Sequence, residues 1–239
     1  MLEIKQLNKT INGKKILDHV SLQVPQGSIA VLLGSSGVGK STLLRVLNNL
    51  ETADSGAVLF NGKQLDLKTI HTSHIVGMVF QHFNLFDHLT IEQNITLPLE
   101  KILNKSPEQA QNIAHTYLKT YGLLEKAHSY PSQLSGGQKQ RLALARTLAL
   151  EAKIICLDEP TSALDPILTT QVAKSITQLA QQGYTVLIAT HDTSLLEKLS
   201  CMIYLMKDGN IIESAESQQF CADQAQYPKI HQFVSGIDQ

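Results

Sequence analysis

No stretch of this sequence approaches the roughly 18 uninterrupted apolar residues of a membrane-spanning helix. Any service to a membrane is therefore expected to pass through a partner chain. The opening residues, MLEIKQLNKT, lack the apolar core of a secretory leader. Cysteine is scarce: Cys156, Cys201 and Cys221 are odd in number and form no C-x-x-C pair. Neither a disulfide framework nor a zinc site is indicated, and reduced thiols are the simplest reading. Charge of one sign is missing too. The formal net charge is −1, so there is no global electrostatic reason to seek nucleic acid or anionic lipid. Internal repeats and low-complexity tracts are absent.

What is present suits a folded protein. Of 239 residues, 43% are hydrophobic and 17% charged, enough to bury a sizeable core in one large domain or a domain with a graft. Short apolar runs alternate with longer helical patterns, which predicts an α/β fold. Strands are expected at Leu2–Leu7, Val20–Val24, Ile29–Leu33, Ala57–Phe60, Ile75–Phe80, Ile154–Leu157, Thr185–Ala189 and Met202–Met206, with turns at Asn61-Gly62 and Asp208-Gly209. Between about Thr90 and Leu150 the chain is rich in Gln, Ala, Leu and Lys. Ser106 followed by Pro107 reads as the cap and first residue of a helix. The division expected is a nucleotide-binding core over 1–88 and 151–239, carrying an N-terminal β part, with a helical insert over 89–150.

Gly34-Ser35-Ser36-Gly37-Val38-Gly39-Lys40-Ser41 fits G-x-x-x-x-G-K-[ST], between an apolar strand and a helical run. Glycines let successive backbone N–H groups turn inward on an anion, and the following helix points its positive end at the same place. Lys40 offers a mobile charge to β- and γ-phosphates, and Ser41 a hydroxyl to Mg²⁺. Far downstream, Ile154–Leu157 leads into Asp158-Glu159. This puts two carboxylates at the C-terminal tip of a buried strand, where open α/β sheets bind ligands. Alone, such a pair is often a solvated loop. With a phosphate loop upstream, Asp158 is expected in the Mg²⁺ shell and Glu159 as the base that polarises the attacking water.

Leu134-Ser135-Gly136-Gly137-Gln138 precedes another helical run and makes a second anion-ready helix start. One γ-phosphate does not need two such sites on one chain. With the motifs GSSGVGKST, VFQHFNLF, LSGGQ, IICLDEP, SALD and ATHD in this order, the chain resembles the ATP-binding cassette (ABC) family over nearly its whole length. The resemblance implies a RecA-like P-loop core with an antiparallel β part and a helical subdomain. It implies that Gly34–Ser41 hold ATP, with Thr42 near the α-phosphate. Gln81 matches a glutamine that touches Mg²⁺ or the lytic water where a membrane partner docks. Ser135, Gly136, Gly137 and Gln138 match a signature loop that reaches the γ-phosphate held by a second subunit. Ser162-Ala163-Leu164-Asp165 matches a loop at the dimer interface, and His191 a switch histidine on the γ-phosphate. A head-to-tail homodimer, or a pseudo-symmetric pair, is expected, because splitting the donors makes hydrolysis conditional on closure.

Val79–Thr90 resembles the corresponding stretch of polar amino-acid importers. The implied role is a peripheral ATPase on the cytoplasmic face of the inner membrane, driving permease subunits and served indirectly by a solute-binding protein, with no nucleic acid partner. The alternatives are a cassette for lipid or lipoprotein traffic, cell division or export, or a non-transport cassette in repair or cluster assembly. Phe83–Phe86 reads either as a loop staple or as part of a docking groove. Two departures from the family stand out. Ile11 occupies the place where many cassettes stack an aromatic on adenine, which leaves GTP open as an alternative. Losing about 1 kcal/mol of stacking weakens binding roughly fivefold. Val38 replaces a smaller residue but keeps its backbone N–H.

Overall fold

The computed structural model describes residues 1–70, 74–161 and 166–236. It divides into two compact units, one made of residues 1–78 and 153–239, the other of residues 79–152. In the first, β1 (Leu2–Ile11) and β2 (Lys14–Val24) form a long hairpin. Asn12 and Gly13 turn it with φ of 50° and 75°, two positive values that match the twist of the flanking strands. Both strands outrun the shorter ones expected from the sequence. Register shifts between Ile4 and Leu7, Leu7 and Lys9, and Lys9 and Thr10 break the alternation by which a strand is recognised. With β4 (Ser55–Phe60) and β5 (Lys63–Leu65) these strands make an antiparallel sheet in the order β2-β1-β4-β5.

The second sheet has the order β10-β9-β3-β8-β7-β6, from β3 (Ile29–Leu33), β6 (Val76–Val79), β7 (Ile154–Asp158), β8 (Thr185–Thr190), β9 (Met202–Lys207) and β10 (Asn210–Glu216). Strands β9, β3, β8 and β7 run parallel, and β10 returns antiparallel. Every residue of β3, β7 and β8 is buried, the pattern of parallel strands covered on both faces. Helix α1 (Lys40–Leu47) packs on β7 and β8. Register brings Leu33 opposite Thr190 and Asp158 opposite Ala189, so the tips of three neighbouring strands end together.

The second unit holds α2 (Ile91–Ile102), α3 (Pro107–Thr120) and α4 (Gly136–Ala149). Each starts with a reciprocal capping box: Thr90 with Gln93, Ser106 with Gln109, Ser135 with Gln138. Such a cap contributes about 1 kcal/mol. Ile91, Ile95 and Leu99 of α2 meet Ala110, Ala114 and Leu118 of α3 and Leu142 and Ala145 of α4 in one buried cluster. These are helical spacings with small residues where the helices close up. The unit begins at 79, ten residues ahead of the 89 expected from the sequence, because residues 83–89 are anchored to helices. Asn94 accepts from Phe86 N at 2.8 Å and donates to the carbonyls of Phe86, Leu89 and Thr90. Arg146 donates to the carbonyls of Asn84 and Phe83 at 2.8 and 3.0 Å. Back in the first unit, α5 (Pro166–Gln181) packs on β8 and β3, and α6 (Ser217–Ala222) and α7 (Pro228–Val234) follow β10. Among the described residues no helix is long and apolar enough to cross a membrane.

Candidate active site

The segment between β3 and α1 is pressed against its neighbours. Gly39, the residue before α1, has φ 111° and caps the helix with no side chain. A Cβ there would stand 2.5 Å from Ile16 O, and one on Gly34 2.5 Å from Met206 O and 3.1 Å from Val38 Cγ2. No other residue fits these two positions without moving backbone. The uncapped N–H groups at the start of α1 face the loop, a ready anion site. Ser35, Ser36 and Gly37 are exposed. Lys40 is buried, and its ammonium donates to Gly34 O at 2.7 Å and Ser35 O at 2.9 Å. Burial pushes its pKa down, against the pull of Glu159 and Asp158. A phosphate oxygen, charged and a stronger acceptor, competes well with these carbonyls. Thr42 lies half-buried one residue beyond Ser41 in the first turn of α1.

Ser41 Oγ donates to Asp158 Oδ1 at 2.7 Å. Burial raises the Asp158 pKa, the Ser41 bond lowers it, and the negative Glu159 raises it again. A buried carboxylate beside a hydroxyl is a hard-oxygen pair that suits Mg²⁺. Among the described residues no group of three His, Cys, Asp or Glu could hold a metal unaided. That is the usual arrangement where a nucleotide's phosphates complete the shell.

Glu159 lies just past the end of β7. Its N–H still bonds Ala189 O at 2.8 Å, but its φ is +48°, a left-handed backbone that a side chain adopts only under constraint. Its carboxylate turns to the tip of β8. Thr190 Oγ1 donates to Oε2 at 3.2 Å, and His191 Nδ1 lies 3.0 Å from Oε1. Thr190 Oγ1 also accepts from Asp192 N at 3.0 Å. Asp192 Oδ2 accepts from Thr161 Oγ1 at 2.7 Å, and Oδ1 from Ser194 N at 2.9 Å. Burial alone would raise the Asp192 pKa. The bonds from Ser194 and Thr161 outweigh it and hold the carboxyl below its usual range.

Lys40, Ser41, Asp158, Glu159 and His191 are thus brought to one end of the parallel sheet. Gln81 and Ser135–Gln138 belong to the second unit. There Gln81 is exposed in a turn. Ser135 and Gly136 are exposed, Gly137 is half-buried, and the Gln138 side chain accepts from Ser135 N at 2.9 Å. The Gln138 amide oxygen is therefore committed to the cap. Phe86 is 39% exposed with the Arg146 guanidinium 5.4 Å from its ring centroid, so the Phe83–Phe86 stretch is stapled and yet presents a ring. Ser162–Asp165, with the expected interface residue Asp165, lie outside the described residues. Sequence reasoning missed Thr161, Thr190 and Asp192. The last two flank the histidine in ATHD, and only the histidine was given a role there.

Comparison with known proteins bears on this geometry. The family model described as "ABC transporter" matches residues 17–162. The chain is 40% identical over 226 residues to the glutamine transport ATP-binding protein GlnQ of Bacillus subtilis, covering 93% of each. It is 40% identical over 225 residues to the glutamate transport ATP-binding protein GluA of Corynebacterium efficiens, covering 92% of each. Among solved structures it is similar to an ATP-binding cassette in a dimeric post-hydrolysis state bound to ADP and Pi. The TM-score is 0.78 at 33% identity, over 91% of this chain and 99% of that one. With a phosphate loop, a buried aspartate followed by a half-buried glutamate and a histidine at one end of a parallel sheet, and with relatives matched nearly end to end, this chain belongs to the ABC transporter family as one of its ATP-hydrolysing cassettes.

Proposed function

We propose that the chain is the energy-coupling ATPase of an importer for polar amino acids of the glutamine and glutamate kind. Lys40, the Gly34–Gly39 amides and Ser41 grip the triphosphate, with Thr42 toward the α-phosphate. Ser41 and Asp158 would hold Mg²⁺, and the family resemblance gives Gln81 a part in the same task. When bound, the ion would supply positive charge that offsets the negative charge developing in the transition state. Glu159 orients the water and takes up its proton, and His191 hydrogen-bonds the γ-phosphate. Phosphoryl transfer needs placement and charge stabilisation more than covalent help.

Ser135–Gln138, with Asp165, act on the nucleotide of a second copy in a head-to-tail pair. Closure of the pair is the stroke and hydrolysis resets it. Permease subunits in the inner membrane receive the stroke on the cytoplasmic face, and a solute-binding protein delivers the amino acid to them. The near-neutral charge gives nucleic acid no hold.

The observation that carries the catalytic reading is the Glu159 carboxylate, held on both oxygens at the strand tip beside the phosphate loop. Glu159→Gln keeps the shape and loses the base. Expected are unchanged ATP affinity by calorimetry and turnover reduced about 100-fold or more. Full turnover would remove the base from Glu159. The importer assignment is tested by affinity purification from membranes. Recovery of a permease with amino-acid-stimulated ATPase supports it, and recovery of a lipid exporter or of no membrane protein contradicts it.

A further inference from the structure

We propose that Thr190 is a positioning residue for hydrolysis, acting through Glu159. The inference deepens the reading of Glu159 as base and rests on it. A hydroxyl carries one proton and two acceptor positions. Thr190 Oγ1 accepts from Asp192 N at 3.0 Å, which turns one lone pair to the backbone and leaves the proton for Glu159 Oε2 at 3.2 Å. The threonine is fully buried and belongs to β8, paired with Leu33 at the entrance of the phosphate loop. Its hydroxyl is therefore fixed in place relative to the triphosphate cradle. Glu159, by contrast, lies past its strand on a left-handed backbone, and its side chain has no fixed aim without a partner. His191 holds the other carboxylate oxygen but is itself exposed, and the proposed function gives it a separate task on the phosphate. Thr190 is the half of this pair that stays put.

The hold extends backwards. Asp192, which orients the Thr190 hydroxyl through its N–H, grips Thr161 with its carboxylate at 2.7 Å. Thr161 comes two residues after Glu159 in the chain, so the base is clamped at its carboxylate and again just beyond its backbone. A base that turns away from the lytic water by about 1 Å loses rate steeply while nucleotide affinity stands.

The test is Thr190→Val, which keeps shape and burial and removes the proton, in the full chain with steady-state ATPase. Expected is a kcat reduced about ten- to a hundredfold with KM for ATP within about twofold. Thr190→Ser, which restores the hydroxyl, should recover most of the rate. Combined with Glu159→Gln, Thr190→Val should add nothing, because a positioning residue has nothing left to position. Should the valine variant not fold, Thr190→Ala carries the same comparison. An unchanged kcat, failure of serine to rescue, or an equal loss on top of Glu159→Gln would overturn the proposal. Glu159→Gln with full turnover would overturn the base assignment and this inference with it. Full loss in Glu159→Gln beside a wild-type Thr190→Val would overturn this inference alone.

Discussion

The two helix starts that offer backbone amides are built in opposite ways. At α1 the first turn has no side-chain cap, its approach is squeezed against Ile16 and Met206, and Lys40 is buried. At α4 the start is exposed and closed by the Ser135–Gln138 box. The first leaves its amides without a side-chain cap and sets a buried ammonium beside them. The second satisfies two of its donors internally and stands in solvent as a finished surface. A site that must bind nucleotide alone needs the first construction. A site that completes another molecule's pocket needs the second, stable before its target arrives.

The comparison breaks hardest at Lys40. Lys40→Ala removes the ammonium proposed to grip phosphate, and ATP affinity should fall about 100-fold, about 2.7 kcal/mol. Calorimetry showing an unchanged Kd would dissolve the distinction. Gly136→Asp probes the other start. An acid in the first turn suits the helix dipole, so folding should hold, but its charge repels a triphosphate. ATP binding within about twofold of wild type, beside hydrolysis reduced about tenfold or more, is expected. Loss of binding would place Gly136 in the chain's own pocket.

The smallest effect is on stability. Asp158 has a raised pKa in the fold, so the native state holds that proton more tightly than the unfolded chain. Its charge therefore weakens the nucleotide-free protein as pH rises above the ordinary carboxylate range. Asp158→Asn should raise the melting temperature of that form by about 2–4 °C at neutral pH and flatten the pH dependence in mild acid. A lower melting temperature would mean that the charge supports the fold.

Much of this was legible in the chain. Buried parallel strands appear as continuous apolar runs, so Ile29–Leu33, Ile154–Leu157 and Thr185–Ala189 fell within a residue of β3, β7 and β8. Ser106-Pro107 marked the start of α3 because a cap and a first-turn proline are local chemistry. The β1–β2 hairpin was shortened because bulges scramble alternation. The early start of the helical unit at 79 was invisible because Asn94 and Arg146 anchor residues 83–89 from 5 to 63 residues away. Thr190 and Asp192 were unread for a similar reason. Their role depends on which carboxylate lies opposite across two paired strands, and register is not written in either strand alone.

A second copy's Ser135–Gln138 segment is proposed to complete each nucleotide site. Light scattering on Glu159→Gln with Mg-ATP tests it without needing turnover. The mass should rise from the 26.3 kDa of one copy to twice that, and Glu159→Gln combined with Gly136→Asp should remain at one copy. A double variant that pairs as readily as Glu159→Gln alone would contradict the account.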